Sequence, residues 1–400
     1  MSQAILQLLA VSFALAFALT WMMIQVAPRL GFVDKPGGRK IHANPKPLGG
    51  GVAIFWSVAL PMLGGMVMWM FTTTVPGSVA EATRGGILQQ APMALGLIGC
   101  MLAMHLLGLR DDWKALGPYS KLLIQLSITA FFVICFDVRA LTALDNLGAG
   151  RWPSVAVTVL WIGAITNAFN FLDNMDGLSA GVAAVCTTAF LVTALSIGQW
   201  FVAATLALLL GSLLGFLIWN FAPAKIFMGD SGSLLIGFLL GVMTVRTTFL
   251  PKDADLGAGW YAVLAPVVVL ALPLYDLVVV SIIRMLNGKS PFVGDTNHFS
   301  HRLVRRGMSK RTAVLCIYLV TAATSIAAII LPHVRTSFAG LMIFAQTGLI
   351  LGMVALLEQH PLPAVGEASS VRADSVASDS QSSSSDRSTG TLPSTADRLS

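Results

Sequence analysis

Charge is scarce in this sequence. Only 11% of its 400 residues are Asp, Glu, Lys or Arg, while 56% are hydrophobic and the mean hydropathy is +0.78. Soluble proteins carry about 25% charged residues. A chain of this length would otherwise suggest two or three soluble domains, but too little polar surface is present to coat them, so most of the surface must face lipid. Cysteine is sparse too. Cys100, Cys135, Cys186 and Cys316 lie far apart in apolar runs and no Cys-x-x-Cys occurs. That pattern fits small buried hydrophobes rather than a metal or disulfide framework. The N-terminus lacks a basic stretch and a cleavage signature, so the apolar run to Val26 reads as a first membrane span rather than a removed signal. A net charge of +6 and a pI of about 9.3 could suit nucleic acid. In a membrane protein, however, Lys and Arg chiefly set orientation, and no nucleic-acid partner is expected.

What is present is a series of apolar runs, at roughly 4–27, 49–71, 91–109, 121–137, 153–170, 179–197, 200–220, 234–250, 260–285, 312–331 and 338–357. A helical span needs about 20 apolar residues. The expected fold class is therefore an all-α polytopic membrane protein of about 11 transmembrane helices, with a transmembrane domain over 1–360 and a tail over 361–400. Loops 28–48, 110–120, 171–178, 221–233 and 286–311, with flanking Lys121 and Arg284, hold 16 of the 25 Lys and Arg; the alternating set holds 6. The positive-inside rule puts the richer set in the cytoplasm, the N-terminus outside and the tail inside. Twelve of residues 369–400 are Ser, so the tail cannot bury enough surface to fold and is expected to be disordered.

The acids gather on the same side. Asp34, Asp111, Asp112, Asp173, Asp176, Asp230 and Asp295 all fall in the loops assigned to the cytoplasm. The positive-inside rule gives no reason for this. Carboxylates beside lipid are costly and usually functional, and several on one face suit a hard cation such as Mg²⁺. Each loop also has an ordinary reading. The first carries Arg39, Lys40 and His42 among glycines, which suits phosphate or merely an inside loop. The second pairs Asp111 with Asp112 ahead of Lys114 and Lys121. Adjacent like charges can raise one pKa and create a base, or the pair can be a solvated helix cap. The third sets Asn170, Asp173, Asn174 and Asp176 together, a polar-ligand site or a capping cluster. The fourth, Phe227-Met-Gly-Asp230-Ser-Gly-Ser233, reads as a helix N-terminus whose free N–H groups favour phosphate, or as plain capping. The fifth places His298 and His301 one turn apart beside Arg302; no further ligand pattern supports zinc. Asp276 and Arg284 lie two turns apart on one face of the ninth span, too distant to touch.

Taken together, Asp34–His42, Asp111-Asp112, Asn170–Gly177, Phe227–Ser233 and His298–His301 resemble the polyprenyl-phosphate N-acetylhexosamine-1-phosphate transferase family, of the glycosyltransferase family 4 type. The likeness runs in order across about residues 4–357. It implies a bundle of ten or eleven spans in the bacterial cytoplasmic membrane with a cytoplasmic active-site cleft. It implies transfer of an N-acetylhexosamine 1-phosphate from a UDP-N-acetylhexosamine to polyprenyl phosphate with release of UMP, a step that initiates lipid-linked envelope polysaccharides. By the same resemblance, Asp230 holds Mg²⁺ (Mn²⁺ being an alternative), with Asp111, Asp112 and Asn170 as further ligand candidates. Asp111 and Asp112 position or deprotonate the acceptor phosphate. Asn170, Asp173 and Asp176 shape the nucleotide site and Phe227 stacks on uracil. His298 is a catalytic candidate, and Arg39, Lys40, His42, Lys121, His301 and Arg302 meet phosphates. A homodimer stays open. So does a covalent route through Asp230 or Asp112.

Arg-Lys-x-His in the first loop and the eleventh run place the resemblance nearer the branch that uses UDP-N-acetylglucosamine. Ser300 stands where relatives often carry a second His, and Lys114 follows the Asp pair one position before the base of some relatives. Two alternatives remain: a phospho-N-acetylmuramoyl-pentapeptide transferase with a larger donor, and, from another class, a secondary transporter. Transporters place charges near the midplane and repeat their spans; here the charges crowd one surface.

Overall fold

The structure is a computed structural model and describes residues 2–34, 45–73, 75, 78–147, 150–247, 263–290, 297–334 and 336–359. Its helices are α1 (Ser2–Arg29), α2 (Gly50–Phe71), α3 (Val79–Trp113), α4 (Pro118–Cys135), α5 (Trp152–Leu172), α6 (Leu178–Ser196), α7 (Trp200–Asn220), α8 (Asp230–Arg246), α9 (Ala265–Val269), α10 (Ala271–Leu286), α11 (Phe299–Arg305), α12 (Lys310–Ile330) and α13 (Ser337–Gln359). Two-residue strands β1 (Val33–Asp34) and β2 (Lys46–Pro47) pair antiparallel ahead of α2. The chain is an all-α polytopic membrane protein. Among the described residues, 9 helices are long and apolar enough to cross a membrane. The run expected over 234–250 appears as α8, of 17 residues. That over 260–285 is broken at Leu270 into α9 and α10, because Pro273 has no N–H to continue the ladder. The expected tail over 361–400, and Arg39, Lys40 and His42, lie outside the described residues.

One boundary differs in a way that matters. Residues 110–113 were expected in a loop, but α3 runs on to Trp113. No glycine or proline occurs between Gly108 and Gly117, and the Arg110 guanidinium donates to the Lys114 carbonyl at 2.7 Å, closing the last turn. Asp111 and Asp112 are therefore carried by a helix end. Proline at the start of α4 then sets Lys121 in that helix's first turn.

Lipid tails offer helices no hydrophobic reason to associate, so membrane helices rely on close packing at small residues. The helix α8 is buried all round, from Ser231 to Thr244. Glycines let its backbone sit against its neighbours. A Cβ on Gly108 of α3 would collide with the main chain of Asp230 and Ser231, one on Gly51 of α2 with the Ser231–Gly232 main chain, and one on Gly237 with that of Thr166 in α5. At the far side of the bundle, Gly211 and Gly215 of α7 meet the α1 main chain at Leu9 and Phe13 in the same manner. The helices α6 and α7 are mostly buried, whereas α1, α4 and α13 present most of their surface outward. All four cysteines are free. Cys100 and Cys186 are buried as expected and Cys316 is half-buried, but Cys135, the last residue of α4, is exposed.

Gly108→Val should force α3 off the start of α8. Overpacking of this kind costs about 1–3 kcal/mol, so the expected outcome is a lower thermal midpoint for the detergent-solubilised protein, with no such loss for Gly64→Val, which has open space around it.

Candidate active site

Four helix ends converge at one end of α8. From the last turn of α3, Asp111 Oδ2 accepts from the Lys121 ammonium at 3.0 Å, and Asp111 Oδ1 accepts from the Leu116 N–H at 2.5 Å. The same ammonium donates to Asn170 Oδ1 at 3.3 Å and to Asp230 Oδ2 in a close ion pair. Asn170, in the last turn of α5, then donates its amide to Asp230 Oδ1 at 2.8 Å and to Ser233 Oγ at 2.9 Å. Its two ends are thus fixed, oxygen toward the cation and nitrogen toward the carboxylate. Three oxygens from three helices surround one positive charge, and the Lys121 and Asp111 side chains are each 14% exposed, Asp230 27%. The cluster is recessed but open to a ligand.

Asp112 faces the other way. Its carboxylate accepts from the Asp230 N–H at 2.8 Å and the Ser231 N–H at 3.1 Å. The N-terminus of α8 carries the partial positive charge of the helix dipole, and here a carboxylate from another helix takes it. The free N–H groups expected at Asp230–Ser233 are therefore not available: two go to Asp112, and those of Gly232 and Ser233 turn back to the Gly229 carbonyl at 3.1 Å each. Asp173 caps the end of α5. Burial, with the nearby charges of Asp230 and Asp112, pushes its carboxyl well above the usual carboxylate range.

The remaining candidates have other surroundings. Asp176 accepts from the Ala224 N–H at 2.9 Å, and Asn220 bridges the Gly177 N–H at 3.0 Å and the Ile226 carbonyl at 2.9 Å. Together these tie the segment after α5 to the segment before α8. Lys46, which sequence reasoning did not single out, adds a bond to the Ala224 carbonyl at 2.5 Å. Phe227 is half-buried and its main chain joins the Pro47 carbonyl and the Gly50 N–H at 2.9 and 3.1 Å.

A second cluster adjoins the end of α5. His298 precedes α11 and is buried. It donates from Nδ1 to Asp276 Oδ2 at 2.9 Å, and the Arg284 guanidinium donates to its Nε2 at 3.4 Å. These partners assign the proton to Nδ1 and leave Nε2 an acceptor. His298 is thus the bridge between Asp276 and Arg284, whose helical spacing alone keeps them apart. The Arg284 guanidinium also lies 4.8 Å over the Phe171 ring, and the His298 ring stands edge-on to Phe171 at 5.6 Å. His301 is half-buried; burial and the neighbouring His298 and Arg305 hold its pKa below the ordinary value. Arg302 pairs with Glu358 of α13 at 2.9 Å and also donates to the Asn297 carbonyl. No notice of Glu358 was possible from a motif; its only signal is an acid placed at the end of the last apolar run.

Among the described residues no three His, Cys, Asp or Glu side chains form a ready metal centre. The donor set around Lys121 is different in kind: two carboxylates and an amide oxygen already gathered about a cation. Hard oxygen donors of this sort fit Mg²⁺.

The raised pKa of Asp173 has a sign that can be measured. Below the ordinary carboxylate range Asp173 is protonated in both folded and unfolded chains and costs nothing. As pH rises past that range the unfolded chain ionises first, so folding stability falls until the folded pKa is passed. Asp173→Asn should therefore leave the thermal midpoint unchanged in acid and raise it at neutral pH. A lower midpoint at neutral pH would contradict the assignment.

The chain is similar to known proteins over the segment that holds this cluster. The glycosyl transferase family 4 model matches residues 94–248, which contain the whole Asp111–Lys121–Asn170–Asp230 cluster. A probable undecaprenyl-phosphate N-acetylglucosaminyl 1-phosphate transferase of Bacillus subtilis is 34% identical over 327 residues, 80% of this chain and 83% of that one. A decaprenyl-phosphate N-acetylglucosaminephosphotransferase of Mycolicibacterium smegmatis is 31% identical over 76% of each chain. The undecaprenyl-phosphate alpha-N-acetylglucosaminyl 1-phosphate transferase of Escherichia coli K12 is 27% identical over 74% of this chain and 76% of its own. The chain belongs to glycosyl transferase family 4, in the branch of the polyprenyl-phosphate N-acetylglucosamine-1-phosphate transferases.

Proposed function

We propose that this protein transfers N-acetylglucosamine 1-phosphate from UDP-N-acetylglucosamine to polyprenyl phosphate and releases UMP, the first step of a lipid-linked envelope polysaccharide. The observation that carries the reading is the cation-centred oxygen cluster at one end of a lipid-embedded bundle. The names of the relatives support the polyprenyl-phosphate acceptor and the N-acetylglucosamine phosphate. The distribution of Lys and Arg supports a cytoplasmic site in the cytoplasmic membrane.

In the proposed reaction an oxygen of the lipid phosphate forms a bond to the β-phosphorus of the donor. The bond from that phosphorus to the bridging oxygen breaks, and UMP leaves with the electron pair. A monoester phosphate has a second pKa of about 6, so the acceptor needs little help to ionise at neutral pH. The harder task is to bring two anions together, which calls for positioned positive charge. Lys121 supplies an ammonium that the cluster already holds in place. Asp230, with Asp111 and Asn170, would hold Mg²⁺ or Mn²⁺, which when bound neutralises diphosphate charge. Asp112, by taking the end of α8, fixes where Asp230 begins. Asp173, at the end of α5 beside Asp112 and Asp230, would line the donor side of the same site. The Asp276–His298–Arg284 cluster, balanced in charge overall, sets the Arg284 guanidinium against Phe171 at the end of α5, where the phosphates would lie.

Membranes containing the protein, incubated with polyprenyl phosphate, Mg²⁺ and a panel of UDP-sugars, should release UMP from UDP-N-acetylglucosamine. Release from no donor would sink the transferase reading, and release only from the UDP-muramoyl-pentapeptide would move it to the other branch. Removing one preorganised electrostatic group costs about 10²–10³-fold in kcat, so Asp230→Asn and Lys121→Met should each lose at least that much. Near-normal turnover in Asp230→Asn would remove it from the reaction.

A further inference from the structure

The helix α11 has 7 residues. Isolated helices shorter than about 12–15 residues are marginal, so its place in the protein depends on what grips it. Three elements do. At its start, Asp276 of α10 accepts both from His298 Nδ1 at 2.9 Å and from the Phe299 N–H at 2.6 Å. At its inner side, Ser300 Oγ donates to Asn174 Oδ1 at 2.6 Å, tying it to the segment after α5. At its outer side stands α13. Glu358 accepts from the Arg302 guanidinium at 2.9 Å and from the Tyr275 hydroxyl at 3.3 Å, and the Arg306 guanidinium donates to the Leu357 carbonyl at 2.5 Å.

The third grip is unexpected in its source. Most of α13 faces outward and little of it packs against the bundle. Its end nevertheless carries a carboxylate that is 10% exposed, paired with an Arg302 that is 11% exposed. A charge pair sheltered to this degree is costly to break by removing one partner. Tyr275 extends the contact, since its ring stands edge-on to Phe299 at 6.3 Å. The end of α13 therefore meets α11 and α10 together, beside the buried His298.

We propose that Glu358 is a positioning residue for the donor site: by holding Arg302 and Tyr275 it sets α11, and with it His298 and His301, against the end of α5. This deepens the transferase reading and rests on α11 forming part of the donor-phosphate site. The last membrane helix thereby acts on the reaction through one carboxylate at its end, without touching substrate.

The full-length protein in detergent carries the test. Glu358→Gln should raise the KM for UDP-N-acetylglucosamine by about tenfold, the scale of losing one charge-assisted contact, while the KM for polyprenyl phosphate stays as in the unsubstituted protein. Glu358→Asp, which keeps the charge, should recover part of that loss. Backbone amides of 299–306 should exchange hydrogen faster in Glu358→Gln, with α8 unchanged. Donor KM unchanged, or donor and acceptor KM rising together, would overturn the positioning role, the second outcome marking a general packing effect. The exchange measurement needs no turnover. If the unsubstituted protein releases no UMP, the transferase reading falls while the grip of Glu358 on α11 is still decided by exchange: unaltered exchange at 299–306 would overturn it.

Discussion

Carboxylates at the edge of a lipid-embedded bundle repel one another and lose hydration, so they persist only where something takes up their charge. Here that demand organises the whole end of the molecule. Lys121 stands between Asp111 and Asp230, and Asp112 is absorbed by the start of α8. Neither solution works alone. Without Asp112 the first N–H groups of α8 would lack an acceptor; without Lys121, Asp111 and Asp230 would face each other unbalanced. Asn170 makes the arrangement directional, because its amide can satisfy the cation and the carboxylate in only one orientation.

The surrounding fold exists to bring four helix ends to this point. Each acts at a terminus: α3 and α5 at their last turns, α4 and α8 at their first. The segments between them are braced by their own bonds, through Asp176 and Asn220, so that their position is not left to chance. Packing and electrostatics are thus separate layers. The apolar faces hold the helices side by side, and polar bonds at their ends fix depth and rotation.

The architecture was largely legible in the sequence because lipid imposes a length and a polarity on every span. The apolar runs correspond to helices, and the acids predicted to share one face include the four that the structure draws together. Loop edges were less legible. Asp111 and Asp112 looked like loop residues because charge ends an apolar run, whereas the helix runs on to Trp113 and ends at Lys114. The partner of each polar residue was not legible at all. Nothing in the spacing of Asp276 and Arg284 reveals that His298 would come between them, or that Arg302 would be occupied by a glutamate 56 positions away. Such pairings depend on which helices are neighbours, and apolar periodicity in lipid does not encode neighbours. The glycines were visible as letters, but their use as points of main-chain approach becomes evident only when α8 is seen enclosed.

That enclosure bears on how much the sequence can vary. At Gly108 the carboxylate-bearing start of α8 rests on main chain, and at Gly51 on main chain together with the Ser231 hydroxyl. At these two points the approach leaves no room for a larger residue. Apolar residues on the outward faces of α1, α4 and α13 can be exchanged for one another with little effect on it. Tolerance to drift over most of the chain and intolerance at a few glycines are two aspects of the same construction.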